Sequence, residues 1–141
     1  VIEKMLKVMN FFGRVEIKNS QPESLIVNIV TDEANFLIGQ AGTNLFALQH
    51  LIRLIVSKKL KEETIPFILD INNYRQHRAQ LLKELAINKA NQAIQEMGPV
   101  VLEPMSSYER RIIHLELASR DDVICQSQGE GERRHIIIKP R

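Results

Sequence analysis

The 141-residue sequence has little of what several protein classes require. Its one cysteine, Cys125, cannot form a disulfide within the chain, which predicts a reducing, cytosolic setting. The best apolar stretch, residues 45–56, is interrupted by Gln49, His50 and Arg53 and is far shorter than the roughly 20 apolar residues that span a bilayer. No signal-peptide pattern opens the chain. We therefore expect neither a disulfide-stapled secreted protein nor membrane insertion.

Aromatic residues and an excess of one charge are also lacking. The chain has no tryptophan, two tyrosines and five phenylalanines, and most of the phenylalanines fall at apolar positions. A base-stacking sheet is therefore not expected. For Tyr74 and Tyr108 we expect a packing or interfacial role, with the stacking of one base as the alternative. Lysine and arginine number 19 against 17 acidic residues; residues 1–70 carry eight of each. Any nucleic-acid binding must come from local basic patches.

A catalytic constellation is absent as well. The four histidines are scattered along the chain, and a single cysteine offers no zinc-binding spacing. The G-x-S-x-G pattern of a nucleophile elbow does not occur. Cys125 falls in a predicted strand, where it is expected to be a small, half-buried apolar residue. The sequence therefore predicts no enzyme, no metal and no cofactor.

The apolar spacing predicts an α+β protein of two units. We expect the first unit to have helices at 3–12, 32–37 and 43–59, with strands at 15–18, 24–30 and 65–71. We expect the second to have helices at 73–97 and 106–118, with strands at 100–102, 122–127 and 133–139. The boundary near 71–73 has no Gly-, Ser- or Pro-rich linker, so the units are predicted to behave as one rigid body.

Short polar signals mark the predicted element ends. They are a C-terminal cap at Gly13, a turn at 19–22, helix N-caps at Asp32 and at Asn72 or Asn73, a capping box at 106–109, and a hairpin turn at 129–132.

The stretch LIGQAGTN, residues 37–44, places two glycines three apart in a helix-forming segment. Each glycine inside a helix costs about 1 kcal/mol relative to alanine, so the backbone needs them. A Walker A loop would require a lysine, and a Rossmann loop would follow a strand. Two interpretations remain: a tight helix–helix turn, or a helix–GxxG–helix loop on which a sugar–phosphate chain can lie close to exposed glycines.

The second interpretation assigns RNA contacts to this loop. Ile38 would offer an apolar floor to a base, and Gly42 is expected to be exposed enough to accept a side chain. The predicted RNA-contacting residues of the loop are Ile38, Gly39, Gln40, Ala41, Gly42 and Asn44.

A second candidate surface contains Arg110 and His114, which lie one helical turn apart and point the same way. From spacing alone, such a pair is usually an ordinary solvated helix face. Arginine nevertheless suits phosphate, because its planar fork can bind two oxygens. The further arginines predicted to contribute are Arg75, Arg78, Arg133 and Arg134.

The chain resembles the bacterial Jag proteins, also called SpoIIIJ-associated or KhpB proteins, over essentially all 141 residues. The motifs that carry this resemblance are LIGQAGTNLFALQHLIRLIVSKK, DINNYRQHR and VVLEPMSSYERRIIHLEL. The resemblance implies a type II KH domain at 1–72, with helices on a three-stranded sheet. It also implies an R-three-H domain at 73–141, a three-stranded sheet with two helices, in which Arg110 and His114 form the signature pair. Gln40 and Ala41 depart from the family, whose loop is commonly basic here.

The resemblance further implies a cytoplasmic post-transcriptional regulator of cell elongation, division or envelope growth that binds single-stranded RNA or DNA. It also implies a small KH-domain partner protein or self-association. A further N-terminal Jag domain and linker are expected before Val1. The alternative is a protein–protein or dimerisation module with weak or vestigial RNA binding, which the uncharged Gln40 and Ala41 favour.

Overall fold

A computed structural model describes residues 1–21, 24–61 and 66–141 of the chain. These residues form two compact units, Val1–Arg75 and Gln76–Arg141. Both units combine helices with a three-stranded sheet, so the predicted α+β class is confirmed. The predicted turn residue Pro22 and the predicted start of a strand at Ile65 lie outside the described residues. The functional domains at 1–72 and 73–141 stay predictions.

The first unit has the element order αββααβ. Its elements are α1 Ile2–Val8, β1 Arg14–Gln21, β2 Ser24–Val30, α2 Ala34–Ile38, a 3-10 turn Gln40–Gly42, α3 Thr43–Leu60 and β3 Phe67–Ile71. The central strand β2 is antiparallel to β1 and parallel to β3. Parallel neighbours need a crossover connection, which here consists of α2, the 3-10 turn and α3. The glycine loop therefore lies inside this crossover.

The core of the first unit forms where α3 packs on the sheet. Helical spacing places Leu45, Leu48 and Ile52 on one face of α3, and all three are buried. Ile29 and Leu69 are fully buried. The remaining buried members of this core are Leu6, Val27, Leu37, Phe67 and Ile71.

The second unit has a separate core. Its elements are α4 Tyr74–Gln95, which begins inside the first unit, β4 Val100–Val101, α5 Ser107–Leu117, β5 Val123–Gln128, a 3-10 turn Gly131–Arg133 and β6 His135–Pro140. The strand order is β4-β6-β5, with antiparallel pairing throughout. Small side chains of α4 are fully buried at Ala86, Ala90 and Ala93, which lets neighbouring elements pack close to the helix.

Two helix ends differ from the predictions. Helix α1 ends at Val8, and Asn10, with φ of 61°, adopts the left-handed conformation after it, well before Gly13. Asparagine tolerates this conformation better than most residues. Glu33, and not Asp32, precedes α2. Thr31 Oγ1 accepts the Glu33 amide at 3.1 Å, so a hydroxyl of the preceding segment satisfies this end.

The connection from β3 to α4 is held by buried polar groups. Oδ1 of Asp70, a buried residue, accepts the backbone N–H groups of Ile71 at 2.9 Å and Arg75 at 3.2 Å. Asn72 and Asn73 are both left-handed, and the Asn72 side chain bonds the backbone of Thr31. Asp70 therefore provides the acceptor in the first turn of α4 that the sequence analysis assigned to an asparagine.

The start of α5 confirms one half of the predicted capping box. Ser106 Oγ accepts the N–H of Glu109 at 3.3 Å, so Ser106 is the N-cap. The Glu109 carboxylate is buried and accepts Nε of Arg78 at 2.7 Å through Oε1. An ion pair therefore takes the place of the reciprocal capping bond. The predicted hairpin turn at 129–132 overlaps the 3-10 turn that ends at Arg133.

Candidate nucleic-acid interface

Both glycines of the loop are required by its own conformation. Gly39 has φ of 71° and ψ of −178°, and a Cβ there would lie 2.6 Å from Cγ of Asn44. Gly42 has φ of 81°, and its Cβ would lie 3.1 Å from the Tyr74 ring. Positive φ at these angles disfavours any residue with a side chain. The loop needs its glycines even before a ligand is considered.

The expectation that Gly42 is exposed is wrong, because the Tyr74 and Phe46 rings cover it and the residue is buried. The residues between the glycines are the exposed ones, Gln40 and Ala41. Ala41 has φ of 52° and ψ of 28°, a left-handed conformation that turns the chain outward between two helices. Ile38 is half-buried. A strand of RNA could therefore meet Gln40 and Ala41 directly.

Asn44 has a packing contact in addition to its predicted RNA contact. Its Nδ2 donates to the backbone oxygen of Phe36 at 2.8 Å, which ties the start of α3 to α2. Thr43 Oγ1 donates to the backbone oxygen of Gln40 at 2.7 Å. These two bonds brace the loop from the helix that follows it. The predicted RNA contact of Asn44 stays a prediction.

Three of the five phenylalanines are exposed. Phe12 is 80% exposed, Phe36 74% and Phe46 39%, whereas Phe67 is buried. Phe12 lies beyond the end of α1, and Phe36 and Phe46 lie on exposed faces of α2 and α3. The tyrosines differ from each other: Tyr74 is half-buried against Gly42, and Tyr108 is exposed.

In the second unit, the structure brings Arg110 and His114 together on one oxygen. Nη1 of Arg110 donates to Oγ of Ser127 at 3.2 Å, and Nε2 of His114 lies 3.0 Å from the same oxygen. These three side chains are called the Arg–His–Ser cluster below. Ser127 is not among the site residues predicted from the sequence. Its signal was the period of two along β5, which puts Val123, Cys125 and Ser127 on the less exposed face.

Positive charge in this cluster belongs to Arg110 at neutral pH. Partial burial of the imidazole, and then the nearby Arg110 guanidinium, hold the pKa of His114 below its ordinary value of 6.5. A neutral His114 can either accept from the Ser127 hydroxyl or donate to it, depending on its tautomer. The described residues provide one side-chain acceptor for Arg110, and a guanidinium carries five N–H donors. Further donors of Arg110 can therefore serve a ligand.

The other predicted arginines occupy different settings. Arg75 belongs to the first unit, where Nε donates to Leu69 O and Nη2 to Gln49 Oε1. Arg78 forms the ion pair with Glu109. Arg133 is exposed and Arg134 bonds Gly129 O, both beyond the end of β5 that carries Ser127. Arg133 and Arg134 therefore precede β6, in which Ile136 pairs with Ser127. The RNA contacts of all four arginines stay predictions.

Within the described ranges, no three His, Cys, Asp or Glu side chains are grouped as metal ligands. None of the helices in those ranges is long and apolar enough to cross a bilayer. Burial raises the pKa of the half-buried Cys125 thiol to about 11, so little reactive thiolate forms at neutral pH.

Comparison with known proteins places the Arg–His–Ser cluster in a recognised domain. The protein-family model of the R-three-H domain matches residues 80–140, a segment that contains all three cluster residues. A protein named RNA-binding protein KhpB from Clostridium symbiosum is 37% identical over 138 residues, which make up 97% of this chain and 62% of that protein. The chain is therefore a homologue of proteins named KhpB.

Two further KhpB relatives match shorter segments. The one from Bacillus subtilis (strain 168) is 37% identical over 116 residues, 79% of this chain and 54% of the relative. The one from Lactiplantibacillus plantarum is 34% identical over 115 residues, 82% of this chain and 35% of the relative. The chain thus spans between about a third and three fifths of the KhpB proteins it matches.

Proposed function

We propose that this protein binds single-stranded RNA and performs no catalysis. The observation that carries the proposal is the convergence of Arg110 and His114 on Ser127 Oγ, inside the segment that matches the R-three-H family model. Relatives of the chain are named RNA-binding proteins. A guanidinium with remaining donors at a partly exposed site suits a phosphate oxygen.

In this proposal the first unit is a type II KH domain at 1–72, and the R-three-H domain occupies 73–141. Support comes from the αββααβ order, with the GxxG loop between α2 and α3. Exposed Gln40 and Ala41 would meet the RNA, and the first N–H groups of α3 would favour its phosphates. Two linked contact regions on one strand gain affinity through a high effective concentration.

The biological role proposed here extends the family resemblance. We infer a cytoplasmic post-transcriptional regulator of cell elongation, division or envelope growth. Single-stranded DNA is a second ligand to be tested, and a small KH-domain protein or a second copy of the chain is the proposed protein partner.

The test compares Arg110→Ala with Arg111→Ala, its exposed neighbour on the same helix. Labelled single-stranded RNAs of unrelated sequence are titrated at several salt concentrations. Arg110→Ala should weaken binding about equally for all sequences and reduce the slope of log affinity against log salt by roughly 0.7, as expected for one single-strand phosphate. Arg111→Ala should leave the slope unchanged. Thermal unfolding of both variants checks that the fold is retained.

A protein–protein interaction module is the second candidate. Val8, Phe12 and Phe36 are each more than 70% exposed, and the glycine loop carries no charge. Exposed apolar residues of this size favour contact with another protein surface. If the wild-type chain binds none of the RNAs but self-associates in sedimentation experiments, this alternative replaces the RNA-binding proposal.

A further inference from the structure

The helix that follows the glycine loop is anchored within the first unit by Tyr74 and Arg75. These two residues, called the Tyr74–Arg75 anchor below, lie in the first turn of α4. Tyr74 packs on Gly42, and Arg75 contacts α3 within two turns of the loop. Together the two residues contact both the loop and the helix that follows it.

Arg75 joins α3 to β3. Its Nη2 donates to Gln49 Oε1 at 2.7 Å, and its Nε donates to the backbone oxygen of Leu69 at 2.9 Å. Gln49 Oε1 also accepts the backbone N–H of Leu69 at 3.0 Å, which closes the network. The guanidinium carbon lies 5.1 Å from the centre of the Phe46 ring, within cation–π range. The Arg75 guanidinium therefore makes these contacts inside the first unit.

Tyr74 completes the anchor at the loop itself. A Cβ built on Gly42 would lie 3.1 Å from Cε1 of Tyr74 and 3.3 Å from Cε2 of Phe46, so both rings pack directly on this glycine. The ring that covers the last glycine of the loop, Phe46, is therefore also the ring under the Arg75 guanidinium. A shift of Arg75 would be transmitted to Gly42 through one side chain.

Buried polar side chains hold the backbone of the anchor in place. Asp70 Oδ1 accepts the Arg75 backbone N–H, and Asn28 Oδ1 accepts the N–H of Asn73. Asn28 and Asp70 are buried partners across β2 and β3. Buried, satisfied polar groups of this kind set one geometry, because each displaced bond would leave an unpaired group.

We propose that Tyr74 and Arg75 are positioning residues that hold the glycine loop in its RNA-binding conformation without contacting the RNA. The effect on RNA rests on the proposed function; the effect on the loop does not. Arg75 thereby takes a different role from the phosphate contact predicted from the sequence.

The test uses Arg75→Ala, Gln49→Leu and a matched control, Arg53→Ala. Gln49→Leu breaks the same network without changing charge. Arg53 also lies on α3 and donates to a β3 backbone oxygen, Phe67 O at 3.3 Å, but it is three turns beyond the loop. Loop conformation is read in the RNA-free protein from the backbone amide NMR shifts of Gly39 and Gly42. RNA affinity is read at several salt concentrations.

Arg75→Ala and Gln49→Leu should both move the amide signals of Gly39 and Gly42 and weaken RNA binding by roughly tenfold, the effect of one lost hydrogen bond to a charged group. Neither should change the salt slope, and Arg53→Ala should do neither. A slope reduced by about 0.7 in Arg75→Ala, with Gln49→Leu silent, would make Arg75 a phosphate contact and overturn the proposal.

Loop amides that stay in place in both variants would also overturn it. If wild-type protein fails to bind RNA while the amides shift as expected, the proposed function fails and the positioning of the loop stands. Thermal unfolding identifies a variant that has lost its fold. In that case Tyr74→Leu is used instead, because it removes the ring from Gly42 but keeps an apolar side chain there. Tyr74→Leu should also move the amide signals of Gly39 and Gly42.

Discussion

The glycine loop and the Arg–His–Ser cluster would meet the same ligand by different physical means. Residues 37–44 carry no charged side chain, and the exposed part of the loop consists of Gln40 and Ala41. The cluster has the Arg110 guanidinium, with Arg133 and Arg134 beyond the same end of β5. Hydrogen bonds from a neutral loop depend little on salt, whereas cation–phosphate contacts release counterions. Salt dependence should therefore come from the second unit.

The largest expected effect concerns Arg78, which lies outside the Arg–His–Ser cluster. Arg78→Ala should lower the free energy of unfolding by about 3 kcal/mol, because it leaves the buried Glu109 carboxylate without its partner. Chemical denaturation measures this. Arg120→Ala removes an ion pair whose carboxylate, that of Asp122, is half exposed, and should therefore lower the free energy of unfolding much less. Equal costs for the two variants would contradict the structural role of Arg78.

Gly39→Ala tests whether RNA binding depends on the conformation of the glycine loop. The substitution forces a side chain into positive φ and against Asn44, which should cost about 2 kcal/mol of stability and abolish most RNA binding by the first unit. Calorimetry and RNA titration measure the two effects. Gly131→Ala is the control, because its φ is also positive but nothing lies within 4 Å of the added Cβ. Wild-type RNA affinity in folded Gly39→Ala would show that the loop is only a turn.

Gln40→Lys should give the glycine loop a salt-dependent contact with RNA, like that expected of the Arg–His–Ser cluster. A lysine at this exposed position adds the charge that the family commonly has in its loop, without entering the core. RNA affinity should rise several-fold at low salt, and the salt slope should steepen by roughly 0.7. Gln40→Met controls for side-chain length without charge. An unchanged slope for the lysine variant would mean that RNA does not approach Gln40.

The smallest expected effect is the pH dependence of the cluster. Because the pKa of His114 is lower in the folded chain than its ordinary value of 6.5, the unfolded chain binds this proton first as the pH falls. The histidine therefore favours folding above pH 6.5, and this contribution is lost as the pH falls through the lowered pKa. His114→Gln should remove that part of the pH dependence of stability.

RNA binding should act on the same histidine in the opposite direction. A phosphate beside Arg110 and His114 would favour the protonated imidazole, so RNA should raise the pKa of His114 and affinity should increase below pH 6.5. An NMR titration of the His114 ring with and without RNA measures this shift. In the Arg110→Ala protein only partial burial still lowers the pKa of His114, so the effect of RNA on this pKa can be separated from the effect of the Arg110 charge. A pKa that RNA leaves unchanged would place the phosphate elsewhere.

Sequence patterns predicted the elements of the fold more reliably than their ends. Apolar spacing found α3 and its buried face of Leu45, Leu48 and Ile52, because periodic burial is a local property of a helix. The ends depended on distant partners. Asp70 accepts an N–H of the first turn of α4 only because the left-handed residues Asn72 and Asn73 bring the Arg75 amide within reach of its carboxylate. A local signal pointed to the asparagines and missed this acceptor.

The candidate sites divide in the same way. The i,i+4 spacing of Arg110 and His114 on one helix determined that they share a face. Their meeting point, Ser127, lies on a strand thirteen residues further along the chain from His114, where only packing of α5 on β5 could place it. The period of two along β5 indicates that this serine faces inward, but no local pattern indicates that it meets the Arg–His pair.

The sequence by itself determined the α+β class, the two glycines between helices and the Arg–His pair, since each follows from residue type and spacing along one element. Tertiary structure alone decided that Gly42 is buried under Tyr74, that Arg75 bonds inside the first unit, and that Arg78 pairs with Glu109. The reason is that an arginine's free N–H donors depend on which acceptors distant segments bring to it. Residue type states what a side chain can bind; only the packed chain decides what it has already bound.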